Sequence, residues 1–288
     1  MSNNKKSKTK KWITGIIATS VLAAGITVPF GEVSHAKAPI GTVEQFVDPN
    51  KLLDLSTYKT QVGKTVQNKY GKLTLNEVLV DVNGLIISST YEPAKGIKFD
   101  EKSQLTPRVL INGKDLQKTR GSQTIKVNNN KYTIYGDIKF SELPDKGPLQ
   151  IKITYDTFYN LNKKKVTIKN PWVFNVKAST NHIQKDTKVV QLNKTVTLHN
   201  GKKVNLNKMI VSPVSTLLYY DLTKGTEKTF FKLLSASGEE VRSRASYAFN
   251  IKEKSYNRFG PIDLGKEKYM LVPVNEDDEE IGFPVSIN

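Results

Sequence analysis

The chain has 288 residues, of which 38% are hydrophobic, and it carries a formal net charge of +17 with no cysteine. That length holds one large domain or two ordinary ones, and the absence of cysteine excludes disulfides, zinc–thiolate sites, thiol catalysis and a lipid-modified N-terminal cysteine. A mean hydropathy below zero excludes a polytopic membrane protein.

Residues 1–36 read as an export segment. Lys5, Lys6, Lys8, Lys10 and Lys11 precede an uncharged apolar run from Trp12 to Phe30, broken by Pro29 and Gly31. Ser34 and Ala36 are small residues at the spacing a signal peptidase reads, so cleavage after Ala36 is one expectation. The run also approaches the ~20 residues a bilayer span needs. Retention as a single N-in anchor is therefore the other expectation, and the preceding lysines favour it. On either reading the body of the protein lies outside the cytoplasm, where each domain is held by its core alone.

The five lysines and Glu32 leave 17 − 4 = +13 on the rest of the chain. A basic surface attracts polyanions. For an exported protein the expected partners are an anionic wall polymer, a membrane surface or another surface protein. No nucleic-acid module motif is present, and nucleic acid is not an expected partner.

Residues 37–55 read as a spacer. Val43, Phe46, Leu52, Leu53 and Leu55 suit one or two helical turns capping the first β domain. That domain is expected over 56–178. Its first unit, Gly63 to Tyr91, returns from Asn193: Lys64-Thr65-Val66 becomes Lys194-Thr195-Val196, an offset of 194 − 64 = 130. Gly71-Lys72 returns as Gly201-Lys202, and Leu75-Asn76 as Leu206-Asn207, one residue later. This pattern is that of a tandem duplication. In both copies the apolar alternation changes parity, between Leu75 and Val78 and between Leu206 and Met209. A parity change within a strand requires an extra residue, so Asn76-Glu77 and Asn207-Lys208 are candidate bulges. Turns follow at Asn83-Gly84 and Ser212-Pro213, then the apolar strands Leu85–Ile87 and Leu217–Tyr220.

Farther along, Asn112-Gly113 signals a hairpin after Arg108–Ile111, and Asn128–Asn130 a further turn. Leu149, Ile151, Ile153 and Tyr155 alternate with polar residues, and Trp172, Phe174 and Val176 share one face of a last strand. Residues 179–185 read as a linker within a polar run. The second domain is expected over 186–288, with strands at Phe230–Leu234 and Tyr269–Val274. Ile281, Phe283, Val285 and Ile287 then alternate to the C-terminus, with no sorting motif beyond them. Short strands with turn residues between them predict an all-β fold of two tandem immunoglobulin-like β-sandwich domains. The label describes architecture only, since the Cys…Trp…Cys pattern is missing.

Little in the sequence suggests chemistry. His35, His182 and His199 are scattered, and neither His-Glu-x-x-His nor Gly-x-Ser-x-Gly occurs. Asp137 with Glu142 is a candidate acid–base pair that nothing places together. Glu276–Glu280 offers five carboxylates but lacks the alternating Asp and turn glycine of a calcium loop, and reads as a solvated tip. No catalytic residue, metal or cofactor is expected. Lys163, Lys164 and Lys165, in the turn 160–165, and Lys202 and Lys203, in the repeat's turn, are the candidate anion-binding residues. Tyr155, Phe158 and Tyr159 beside the first cluster either stack on a ligand or fill the core.

The run K-x-T-V…G-K-L-T-L-N-E-V-x-V-D-x-N-G-L-I-I-S-x-x-Y from Lys64, with S-P-V-S-T-L-L-Y-Y from Ser212, resembles a family of uncharacterised extracytoplasmic domains of Gram-positive spore-formers and their relatives. In that family a domain of unknown function is paired with a C-terminal immunoglobulin-like domain. Many members are single-span proteins, and some look like the outer portions of anti-sigma factors. The resemblance covers about residues 45–288 and implies no catalytic residues. Only Met1 to Lys11 precede the apolar run here, too few for a cytoplasmic sigma-binding domain. The leading expectation is an exported, non-enzymatic surface protein that binds an anionic envelope component or another surface protein. The alternative is a membrane-anchored sensor or accessory in envelope-stress signalling, and a wall-polymer hydrolase is a remote third.

Overall fold

β-Branched and aromatic residues recur with period two along most of the chain, and the computed structural model is correspondingly all-β. It describes residues 41–51, 53–140, 143, 147–160, 164–247 and 255–287. The export segment with Ser34 and Ala36 lies outside the described residues, as do Leu52, Glu142 and Lys163. Among the described residues no helix is long and apolar enough to cross a membrane.

A short helix α1 (Val43–Val47) leads into β1 (Lys59–Asn68), β2 (Gly71–Asp81), β3 (Gly84–Pro93), β4 (Gln104–Leu105), β5 (Arg108–Ile111), β6 (Gln117–Asn128), β7 (Lys131–Phe140), β8 (Pro148–Tyr159) and β9 (Lys165–Ser179). One helical turn, α2 (Asn181–Lys185), connects these to β10 (Lys188–Thr197), β11 (Lys203–Val211), β12 (Thr216–Asp221), β13 (Phe230–Ser235), β14 (Ser243–Tyr247), β15 (Ser255–Phe259), β16 (Tyr269–Val274) and β17 (Val285–Ser286).

The first nine strands form two facing sheets. One has the order β1-β2-β3-β7-β6; in the other, β8 carries β9 on one edge and β4 and β5 on the opposite edge. Leu73, Leu75, Val78, Val80, Leu85, Ile87 and Tyr91 of the first sheet meet Ile151, Ile153, Tyr155, Trp172 and Phe174 of the second in one core. Each such buried side chain contributes about 1.5–3 kcal/mol. Trp172 donates its indole N–H to the Gly71 carbonyl (3.2 Å) and packs edge-on against Tyr91. The later strands form a sheet β10-β11-β12-β15-β14 facing β13-β16-β17, around Val196, Leu206, Met209, Leu218, Tyr220, Phe231, Leu233 and Leu271.

Both expected bulges are present. The β2–β3 register shifts between Leu75 and Glu77, and the β11–β12 register between Leu206 and Lys208. The extra residue keeps Leu73 and Leu75 on the same face as Val78 and Val80. A second pair of irregularities recurs as well, between Gln61 and Lys64 in β1 and between Gln191 and Lys194 in β10. Gly63 (φ 61°) and Asn193 (φ 46°), 130 residues apart, take left-handed backbone there, and glycine and asparagine are the residues that tolerate it.

Other expectations need correction. Asn112 and Gly113 make the tight turn (φ 49° and 80°, with Ile111 and Lys114 exchanging bonds of 2.9 Å). The strands they join then diverge, because β5 pairs with β8 and β6 with β7. The C-terminal strand is confined to Val285–Ser286; Ile281, Val285 and Ile287 pack against the second core as the alternation predicts, whereas Phe283 is 63% exposed with its ring against His199. In the segment 179–185, expected as a linker, α2 buries Ile183. The spacer does more than cap one sandwich. Val43, Val47 and Leu55 pack with Leu79 and Ile86 of the first sandwich, Ile183 of α2 and Val214 of the second.

This seam has a charged centre. Asp81 ends β2, and its equivalent in the second copy is Ser212 (212 − 81 = 131). Ser212 Oγ donates to Asp81 Oδ1 (2.9 Å) and Ser215 Oγ to Oδ2 (2.5 Å). Arg258 of β15 forms an ion pair with the same carboxylate, and the two side chains are 0% and 1% exposed. Arg258 also donates to Asn83. Burial alone would push the Asp81 carboxyl up. The Arg258 guanidinium, the Ser215 hydroxyl and the Val82 N–H outweigh it and hold the group at about 2.

Asp81→Asn strands the buried Arg258 and is expected to cost about 3–5 kcal/mol in urea unfolding. Acid should cost less, because a protonated carboxyl still accepts hydrogen bonds. A folded pKa of about 2 lies below the unfolded ~3.9. Stability is then intact above pH ~4 and falls by roughly 2–3 kcal/mol as pH drops toward 2, a loss that Asp81→Asn should not show.

Candidate functional site

Alternation places the side chains of β8 and β9 by sheet face. Leu149, Ile151, Ile153, Tyr155 and Phe158 point into the core, as do Val166, Ile168, Trp172, Phe174, Val176 and Ala178. Gln150, Lys152, Thr154, Thr157 and Tyr159 therefore face outward on β8, and Lys165, Thr167, Asn175 and Lys177 on β9. Arg108 lies opposite Thr154 and joins this face from β5, and Gln104 joins it opposite Tyr159. Arg108, Lys152, Lys165 and Lys177 are all exposed. Lys169 is exposed too, within the 168–171 segment where β9 leaves register around Asn170 (φ 58°) and Pro171.

The four strands hold five cations and one carboxylate, Asp156, at the β8 bulge. Asp156 lies 3.4 Å from Arg108 Nε, with both side chains over a third exposed. Exposed pairs of this kind contribute at most about 1 kcal/mol, so Asp156 offsets one charge without fixing the face.

Of the lysines singled out in sequence, Lys164 and Lys165 are exposed at the rim of this face, Lys164 in the turn that Asn160 Oδ1 caps (3.0 Å). Tyr155 and Phe158 are core residues, and Tyr159, at 40% exposure, remains open to a ligand. Lys202 and Lys203 are exposed on the other sandwich. Lys202 Nζ occupies the space a Cβ on Gly225 would need. Nearby, the Glu227 carboxyl is lowered by the Gly225 and Glu227 N–H groups and also by Lys202 and Lys224. Lys202 thus lies near an acid of its own chain, and the structure does not merge Lys202 and Lys203 with the first cluster.

In the acidic run, Glu276 pairs with Lys228 (2.7 Å) and Asp278 with Lys232 (2.6 Å). Among the described residues no three His, Cys, Asp or Glu side chains converge as metal ligands. Asp137 is bonded to Lys139 Nζ (2.5 Å).

Sequence reading missed Arg108, Lys152 and Lys177 as partners of the Lys164–Lys165 turn. The alternation at Leu149–Tyr155 did mark Lys152 as outward; the cross-strand register that gathers the others is not local. It missed Lys139, Arg244 and Arg258 at the seam as well. Burial pushes Lys139 down to about 8, helped by Arg258 and opposed by Asp137. Arg244 lies over the Phe46 ring (5.2 Å) and reaches the Val214 carbonyl (3.4 Å).

No protein-family model matches the chain, and no curated protein does. Among solved structures it is similar to the crystal structure of a conserved domain protein from Bacillus anthracis, at 18% sequence identity and a TM-score of 0.62, covering 81% of this chain and 84% of that one. At that identity the likeness shows the fold alone.

Lys139 has a measurable signature. Its folded pKa of about 8 lies below the unfolded ~10.4, so the unfolded state binds more protons between those values. Stability should rise with pH from about 8 to 9.5, before the buried tyrosines Tyr91, Tyr155 and Tyr220, raised by burial, reverse the trend. Urea midpoints across that range should show the slope in the unaltered protein and lose it in Lys139→Met.

Proposed function

We propose that the protein is an exported, non-enzymatic contact protein of two tandem immunoglobulin-like sandwiches, which binds an anionic component of the cell envelope through the outer face of the β4–β5–β8–β9 sheet. The observation that carries this reading is the charge imbalance on those strands, five cations against one carboxylate. The recurrence of both register shifts supports reading the halves as copies of one module. The apolar run behind five lysines, with Ser34 and Ala36 after it, supports delivery beyond the cytoplasm.

A second reading, a membrane-anchored sensor of envelope state, is favoured by the path of the N-terminal segment. The chain enters the described region at the seam, where Gly41 N–H donates to the Tyr135 hydroxyl (3.0 Å) and Arg242 donates to the Phe46 carbonyl (3.2 Å). Anything transmitted along a retained anchor would reach both sandwiches together.

On a resin carrying an anionic wall polymer, the protein should be retained at low salt and elute as screening increases. Asp156→Asn should elute later, with a melting temperature within about 2 °C of the unaltered protein. Passage through the resin at every salt concentration would remove the first reading. N-terminal sequencing of medium and membrane fractions separates the two readings: a mature start at Lys37 supports the secreted form, and an intact start found only in membranes supports the anchor.

A further inference from the structure

The occupant of the basic face can be narrowed by the arrangement of its charges; the step rests on the binding reading just given. Lys165 lies opposite Tyr159 and Lys177 opposite Gln150, so these lysines are separated by 159 − 150 = 9 residues of β8. At ~3.3 Å per residue that is roughly 30 Å along one strand direction. Lys152 sits opposite Asn175, one strand from this line, and Arg108 two strands from it, opposite Thr154. With strands ~4.8 Å apart, the charges form a band three times longer than wide. Between them lie the amides and hydroxyls of Gln104, Gln150, Thr157, Thr167 and Asn175. The large apolar side chain exposed on this face is Tyr159.

We propose that the band binds a single linear phosphodiester polymer, running along β8 and β9 from the Lys165 end to the Lys177 end. A narrow row of charges matches a chain better than a plane, because a planar surface would engage cations over the whole face. Three of the four outward cations are lysines, whose compact point charges hold a phosphodiester without demanding a fixed bidentate geometry. The interspersed amides and hydroxyls can hydrogen-bond the backbone linking the phosphates.

The test uses the full chain, immobilised through its N-terminus and washed free of detergent before the probes are added. The probes are size-fractionated linear polyphosphate, poly-glutamate of matched charge, inorganic phosphate, and phosphatidylglycerol nanodiscs. Polyphosphate affinity should climb with length until the polymer spans about 30 Å and then level off. Inorganic phosphate at equal phosphate concentration should fail to compete. With four contacts the slope of log K against log salt should be about −3. The variant Arg108→Gln/Lys152→Gln/Lys165→Gln/Lys177→Gln should lose at least tenfold and flatten the slope. A charge-matched control, Lys51→Gln/Lys126→Gln/Lys188→Gln/Lys268→Gln, should stay within threefold.

Equal losses in both variants would overturn the proposal, since attraction would then follow net charge alone. Poly-glutamate binding as tight as polyphosphate would overturn phosphate, as against carboxylate, as the group held. Nanodisc binding that is tighter than polyphosphate binding and lost in the face variant would overturn the linear occupant and leave the anionic-contact reading standing. No binding to any anionic probe would remove both.

Discussion

The arrangement of the two sandwiches rests on one buried ion pair, Asp81 with Arg258, formed between residues 177 apart in sequence. Such a pair gains little net stability, because desolvating both groups offsets most of their attraction. What it supplies is selectivity, since either charge left alone at the seam would be costly. The Asp81 oxygens are fully used by Ser212, Ser215, Arg258 and the Val82 N–H. The two hydroxyls come from the turn equivalent to the one that carries Asp81. Corresponding turns of the two halves therefore meet, one contributing the acid and the other the groups that receive it.

The divergence extends along the neighbouring strands. Arg258 pairs with Leu217, and the equivalent of Leu217 is Ile86 (217 − 86 = 131), whose partner is Asp137. One structural position thus holds an acid in the first half and a base in the second. If two first halves met through this surface, Asp137 would face Asp81, acid against acid, and two second halves would set Arg258 against Ser212, with no acid to receive it. The first-with-second pairing is the one in which opposite charges meet, a form of specificity that works by penalising the alternatives.

How much of this could be read in advance depended on the range of the interaction. The bulges at Asn76 and Asn207 were legible because a parity change is a property of a few consecutive residues. The inward faces of β8 and of the later part of β9 were legible for the same reason. Asn112-Gly113 set the local turn correctly and still misled about pairing, since a tight turn fixes the direction of the chain and leaves open which sheet the next strand joins. Phe283 kept the alternation of a strand, yet it stays exposed while Val285–Ser286 pair with β16 and Ile281 and Ile287 donate to its Pro273 and Tyr269 carbonyls. The seam was illegible because Arg258 stands in a sequence, Tyr256-Asn257-Arg258-Phe259, that gives no sign of burial. Lysine runs drew attention to the 163–165 turn, whereas Arg108, Lys152 and Lys177 are brought together only by cross-strand register.

Positive charge serves two separate uses in the molecule. At the seam three cations are matched: Lys59 lies between Glu44 and Glu77 (2.7 and 2.9 Å), Lys139 beside Asp137 and Arg258 on Asp81. Those charges hold the chain against itself and add little to the field outside. On the outer face of the β4–β5–β8–β9 sheet the cations face solvent, with Asp156 as their one acidic neighbour on those strands. A partner arriving from solution meets the second set and not the first. The seam fixes how the sandwiches stand to one another, and the exposed band determines what can be held against them.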